Sequence, residues 1–313
     1  MLYKIFLYKG EVYLVKILVI GAFNIDINAA AEEEVILADS NPGKIYQNFG
    51  GVAKNIAENL VRLGFEVDFV FNVGSDQNGK LGVDYVKSLN ITPYYQEVNN
   101  KTDTYLSVLN DHKEMIVAIN DMVCVKRITI DSLQTYGLDK RKYDYVVCDA
   151  TLNADVIKYI METFDNVYFE AVSAHKVVKI LPFLDKVQHI KMNKLEALTL
   201  FKVKTLDEMW TKLYNSSIRS ALITDGANGS YYYTTKVNNT YQFETTIPVK
   251  VKSVSGAGDA FISGFLYADA CHLDLLKYAT AASKITLESP YTNNPELSPK
   301  LLENEVLKWK SKF

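Results

Sequence analysis

The sequence predicts an α/β fold: a parallel sheet with helices on both faces and a small β-sheet lid. Two observations predict it. Short apolar runs alternate with stretches of helical periodicity along most of the chain, the pattern of successive strand–helix units. Two segments, at about residues 28–48 and 92–120, break that alternation with polar, hairpin-like sequence. The chain has 313 residues, ample for a buried core, and neither a composition shift nor a Pro/Gly-rich linker divides it. The expectation is therefore one domain over 1–313, with the two segments inserted as the lid.

The elements follow in order. Leu14–Ile20 reads as the first buried strand, ending at Gly21, and the residues before it as an extra strand or an extension. Val52–Leu63 carries apolar residues at Val52, Ile56, Leu60 and Leu63, a helical spacing that stops at Gly64. Val67–Asn72 is the next strand, and Gly79–Leu89 a helix before Ile91–Thr92. Tyr143–Asp149, Asn166–Glu170, His189–Met192 and Ala221–Thr224 are further strands separated by helical stretches. Asn28–Asn48 is polar and irregular. Thr92–Ile119 reads as hairpins, with Thr104–Leu109 and Met115–Ile119 joined by Asn110–Glu114. An exposed lid sheet offers edges that could pair with a second copy as a homodimer.

Composition excludes several classes. Hydrophobic residues make up 48% and charged residues 23%, with a net charge of −3, a soluble globular balance. No basic tract marks a nucleic-acid partner. Lys4, Lys9, Glu11 and Lys16 interrupt the apolar start, so neither a signal h-region nor a membrane span forms. Cys124, Cys148 and Cys271 are isolated and fit no disulfide framework or zinc site, which suits a reducing, cytoplasmic setting.

The sharpest motif is Ser253-Val254-Ser255-Gly256-Ala257-Gly258-Asp259, followed by helical spacing. Two glycines let the backbone turn so that successive N–H groups point one way, and the helix adds its positive end. Gly256, Ala257, Gly258 and Asp259 thus form a cradle for a phosphate or a developing oxyanion. A carboxylate at that mouth is electrostatically awkward unless it accepts the proton of an attacking hydroxyl; an ordinary helix N-cap is the other reading of Asp259. The motif is not a P-loop, and Gly21-Ala22-Phe23-Asn24 lacks the glycines of a dinucleotide fingerprint, which disfavours an NAD(P) oxidoreductase.

Gly50 and Gly51 open a helix where a ligand can approach backbone, and Asn55 on its first turns can donate to and accept from a hydroxyl. Asn24 and Asp26 follow the first strand, at the sheet end where α/β proteins bind ligands; turn chemistry is the alternative. Asn193-x-x-Glu196 follows another strand and reads either as donors near hydrated Mg²⁺ or as a capping box. Thr224, Gly226 and Gly229 end a further strand and offer groups to a phosphate, or form a plain turn. Lys54 reads as part of a solvated helix face and stays outside the site.

Taken in order over residues from about 16 to the C-terminus, these motifs resemble the ribokinase-like (PfkB) sugar and nucleoside kinases. The resemblance implies ATP-dependent transfer of a phosphoryl group to a sugar hydroxyl under a β-sheet lid, on a ribokinase-like parallel-sheet sandwich. It implies Asp259 as catalytic base and Gly256, Ala257 and Gly258 as the anion hole. Asn24, Asp26, Gly50, Gly51 and Asn55 would bind the acceptor. Asn193 and Glu196 would act near Mg²⁺ and the phosphates, with Thr224, Gly226 and Gly229 at ATP. Many family members have Asp-Thr where this chain has Ser253-Val254, and that Asp helps hold a monovalent cation, so the expectation of K⁺ activation is weakened.

Within the family, residues 40–43, 51–60, 102–109 and 287–298 are similar to pseudouridine kinases, which implies pseudouridine as acceptor and its 5′-hydroxyl as nucleophile. Thr102, Thr104 and Asn120 are the expected readers of the base. Ribose, adenosine or a hexose as acceptor, and a non-catalytic nucleoside-binding protein on the same fold, are the rival readings; the intact Asp259 and glycines speak against the last.

Overall fold

The computed structural model describes residues 6–8, 11–13, 15–236, 240–246 and 248–310. A short antiparallel hairpin comes first, β1 (Phe6–Tyr8) with β2 (Glu11–Tyr13). Then follow β3 (Lys16–Ile20), β4 (Asn24–Ala31), β5 (Gly43–Gly50), α1 (Val52–Arg62), β6 (Glu66–Gly74), α2 (Gln77–Ser88) and β7 (Thr92–Val98). The middle of the chain holds β8 (Thr104–Leu109), β9 (Met115–Asp121), α3 (Ile130–Thr135), β10 (Tyr145–Asp149), α4 (Ala154–Thr163), β11 (Val167–Glu170) and α5 (Ala174–Val177). The rest comprises β12 (His189–Asn193), α6 (Lys194–Phe201), α7 (Leu206–Tyr214), β13 (Ser220–Thr224), β14 (Ser230–Thr234), β15 (Thr240–Glu244), α8 (Ala257–Ala270), α9 (Leu275–Leu287) and α10 (Pro299–Lys310).

Among the described residues the main sheet has nine strands, in the order β15–β14–β13–β12–β11–β10–β3–β6–β7. It is parallel from β13 to β7, and β14 and β15 close one edge antiparallel. The apolar runs are continuous because both faces are covered. Ile17 and Val19 of β3 join the core under α1, α2, α8, α9 and α10, while Leu18 and Ile20 join the opposite core under α4, α6 and α7. No helix among the described residues is long and apolar enough to cross a membrane.

A second sheet, ordered β5–β4–β8–β9, stands off the first. The α/β architecture is as the sequence predicts, with differences of detail. The first lid segment is irregular only over 32–42: on either side of it β4 and β5 pair antiparallel along their whole length, from Asn24↔Gly50 to Ala31↔Gly43. The second lid segment begins later than residue 92. Thr92–Val98 is the edge strand of the main sheet, parallel to β6, rather than part of a lid hairpin. The reason is topological: α2 crosses over between β6 and β7 and so delivers a parallel partner, whereas a hairpin would deliver an antiparallel one. Leu14, expected to begin the first strand, lies outside the described residues. The β14–β15 hairpin was not predicted; the aromatic run Tyr231-Tyr232-Tyr233 after Gly229 is the signal that carried it.

Candidate active site

The motifs converge at the C-terminal ends of the parallel strands, where open α/β sheets bind ligands. Beyond β3, the carboxylate of Asp149, at the end of β10, lies against Gly21 and accepts from Ala22 N (3.1 Å) and Thr151 N (2.7 Å). That anchored turn leads into β4, where Asn24 Nδ2 donates to Asp26 Oδ1 (2.6 Å). Burial pushes the Asp26 carboxyl up from its ordinary value. The Asp26 side chain packs on Gly50, whose lack of a Cβ leaves room for it.

Gly51 begins α1 with φ 103°, and a Cβ there would strike the carbonyl of Ala22. One turn on, Asn55 Nδ2 donates to Asp259 Oδ2 at 2.8 Å, joining the start of α1 to the start of α8. The Asn55 Oδ1 atom is buried with no partner, an acceptor open to a ligand hydroxyl. Lys54 is not on a solvated face. It is 2% exposed, and its Nζ donates to Glu58 (3.2 Å) and Asn293 Oδ1 (2.8 Å). The sequence reading failed because the groups that cover Lys54 (Asn293 and the Tyr85 ring) lie far from it in the sequence. Asn293 Nδ2 also donates to Asn55 O and Asn59 Oδ1, both at 2.9 Å.

At the start of α8, Gly256 takes φ 77°, with Thr292 carbonyl packed where a Cβ would stand. Gly256 alone of the two glycines in Gly-Ala-Gly carries the left-handed conformation, so the turn rests on it and not on Gly258. Asp259 is 7% exposed; burial raises its carboxyl to about 6, against the opposing pull of Lys191, the Asn55 hydrogen bond and Lys54.

Asn193 and Glu196 form the capping box: Asn193 Oδ1 accepts from Glu196 N (2.9 Å) and Glu196 Oε2 accepts from Asn193 N (2.6 Å). This is the alternative the sequence left open, yet the box is not a surface device. Glu196 is 3% exposed, and its charge, with that of Asp259, acts on the Lys191 ammonium. Thr224, Gly226 and Gly229 line a cavity of about 670 Å³ together with Val251, Gly258 and Leu287.

The lid residues separate. Asp26 pairs with Tyr105 and Tyr105 with Asn120, so these three share one face of the lid sheet. Thr104 pairs with Ile25 and therefore points to the other face, and its hydroxyl donates to Thr102 O (3.0 Å). Thr102 is 3% exposed; its hydroxyl donates to Asp76 (2.5 Å) and accepts from Gly74 N (3.1 Å). Both threonines anchor the strand, since an alternation of period two cannot aim Thr104 and Asn120 at one ligand. Sequence reasoning also missed Asp149, Glu170, Lys191 and Asn293. A lysine between Ile190 and Met192 in a buried strand was the available signal.

A family model described as pfkB family carbohydrate kinase matches residues 15–299. The chain belongs to the pfkB family of carbohydrate kinases. This pfkB-family kinase is 32% identical over 303 residues to a pseudouridine kinase of Escherichia coli, covering 90% of this chain and 93% of that one. It superposes on a carbohydrate kinase from Agrobacterium tumefaciens with a TM-score of 0.79 at 27% identity, covering 94% and 97% of the two chains. A ribokinase of Arabidopsis thaliana complexed with ribose and ATP gives a TM-score of 0.77 at 18% identity, covering 94% and 99%. The kinase is thus an ATP-dependent phosphotransferase of the sugar and nucleoside class on a ribokinase-like fold.

Proposed function

We propose that this kinase phosphorylates the 5′-hydroxyl of pseudouridine, with Asp259 as the general base. The observation that carries the reading is the 2.8 Å bond from Asn55 Nδ2 to Asp259 Oδ2, which ties a sugar-binding helix to a buried carboxylate at a helix N-terminus. Asn24, Asp26, Gly51 and Asn55 hold the ribose so that its 5′-oxygen meets Asp259. Asp259 takes the proton, and the amides from Gly256 to Asp259 meet the charge spread over the transferred group. The nucleotide occupies the adjoining cavity along Thr224, Gly226 and Gly229, with Val251 and Leu287 against the base. The small sheet of β4, β5, β8 and β9 closes over the acceptor as the lid of a single kinase domain and excludes water. Its exposed strand β9, with Ile116, Val117 and Ile119, is where a second copy would pair.

The residues fit a hydrated Mg²⁺. Glu196 keeps Oε2 on the Asn193 N–H, leaving Oε1 for a metal-bound water. Among the described residues no group of three or more His, Cys, Asp or Glu could hold a metal ion. Mg²⁺ retains waters and takes further oxygens from phosphates, and when bound it neutralises their charge. Glu196→Gln keeps the capping box, since Gln also serves at that position, and removes only the charge. The expected result is an unchanged melting temperature with a Mg²⁺ titration displaced to higher concentration. An unchanged titration would leave Glu196 a helix cap.

Pseudouridine is supported by the E. coli relative and tested by comparing acceptors. It carries a ring N–H that uridine lacks, so a selective site needs an acceptor there, left unpaired when uridine binds. Asn120 shares a face with Asp26 and is the remaining lid candidate. The expected order of kcat/KM is pseudouridine above uridine, adenosine and ribose, with Asn120→Ala narrowing the gap to uridine. Equal values for uridine and pseudouridine, or a preference for adenosine or ribose, remove pseudouridine and leave the kinase.

A further inference from the structure

The third residue of β12 is a lysine between Ile190 and Met192, and its side chain is 8% exposed. Burying an ammonium costs several kcal/mol unless charges and hydrogen bonds compensate it. Lys191 Nζ lies 3.0 Å from Glu170 Oε1, and the carboxylates of Glu196 and Asp259 also act on it. A Cβ built on Gly258 would stand 2.7 Å from the same nitrogen, so the ammonium packs against the first turn of α8. That placement is unfavourable by itself. A helix N-terminus is already positive, and a cation beside it is repelled.

Two features say that the pair is not simply a structural salt bridge. Glu170 Oε2 is buried with no hydrogen-bond partner, whereas a buried ion pair that stabilises a fold needs its remaining lone pairs satisfied. The ammonium also abuts Gly258, which together with Ala257 lines the cavity assigned to the nucleotide. A cation and a helix N-terminus brought together make sense where a polyanion comes between them.

We propose that Lys191 is the resident cation of phosphoryl transfer, a positioning residue that offsets Asp259 and Glu196 and keeps the cradle at Gly258 positive toward the transferred group. It rests on the reading of Asp259 as base and Gly256–Asp259 as anion cradle. Glu170, whose carboxyl burial pushes up to about 8 against the pull of Lys191, then serves as the hydrogen-bond partner that makes the lysine tolerable.

The test uses the full chain with three variants: Lys191→Met/Glu170→Gln, Lys191→Met and Lys191→Arg. The double variant removes the buried lysine together with its hydrogen-bond partner, so Glu170 is not left orphaned and folding is expected to survive, as thermal unfolding would report. It should still lose about 10²–10³ in kcat, the scale of one electrostatic contact to the transition state, with the acceptor KM little changed. Methylammonium should restore part of the rate of Lys191→Met in a concentration-dependent way, and Lys191→Arg should retain more than Met. Wild-type kcat in the folded double variant would show that Lys191 only neutralises Glu170 and would overturn the proposal. So would a slow Lys191→Met that ignores methylammonium and is matched by Lys191→Arg. Asp259→Asn, assayed alongside, separates the two readings: if it stays fast, the base assignment fails. If it is slow while the double variant is fast, only the role of Lys191 fails.

Discussion

Asp259→Asn is expected to lower kcat by about 10²–10⁴ while acceptor affinity, read by calorimetry, stays close to that of the parent. The exchange is isosteric and keeps an oxygen that can accept from Asn55 Nδ2, so the link between α1 and α8 persists. What it removes is the carboxylate proposed to take the proton. The pH profile gives an independent readout. Burial raises the Asp259 carboxyl to about 6, and a base works only when ionised. Activity of the parent should therefore fall as pH drops through about 6, and the residual activity of Asp259→Asn should lack that limb. Parental kcat in the variant would remove Asp259 as the base.

Gly256→Ala is the second large effect, for a different reason. At φ 77° an L-residue sits in the left-handed region, which costs roughly 1–2 kcal/mol. The new Cβ would also meet the carbonyl of Thr292, and its Cγ2 at 2.9 Å, so backbone has to move. The amides that follow are aimed by this turn, and misdirecting one oxyanion donor costs about 10²–10³ in kcat. The expected outcome is a lower melting temperature together with a rate loss of at least that order, and acceptor binding less affected than turnover. Gly258→Ala, at ordinary helical φ, escapes that backbone strain and should lose less stability than Gly256→Ala, its Cβ meeting only the end of the Lys191 side chain at 2.7 Å. If Gly256→Ala turned over normally, the cradle would not be the anion site.

The architecture was legible because both of its periodicities are written in the sequence. Buried parallel strands read as unbroken apolar runs, and α1 shows its inward stripe at Ile56 and Leu60. The sequence could not tell that Thr92–Val98 joins β6 instead of the lid, because strand pattern says nothing about which edge accepts a strand. Gly51, Asn55, Gly256 and Asp259 were legible through their order along the chain, since each alone, at a helix start, reads equally well as an ordinary cap or turn. Lys54 and Lys191 were not read as site-adjacent. Their burial depends on Asn293, Glu170 and the first turn of α8, each remote in sequence. Thr104 went astray through register, which fixes the face a side chain occupies, and Thr102 through burial and its hydrogen bonds to Asp76 and Gly74.

The ties that complete the site join opposite ends of the polypeptide. Asn55 reaches Asp259 across 204 positions, and Asn293 reaches Asn55 across 238. Thr292 packs on Gly256 from the same late stretch. Loop closure over such separations has to wait until other parts of the core have formed. The clasp of Thr292 and Asn293 that seats Lys54 and backs the Gly256 turn is therefore a late-forming part of the fold, closed only after β3, β4 and α1 have found the core.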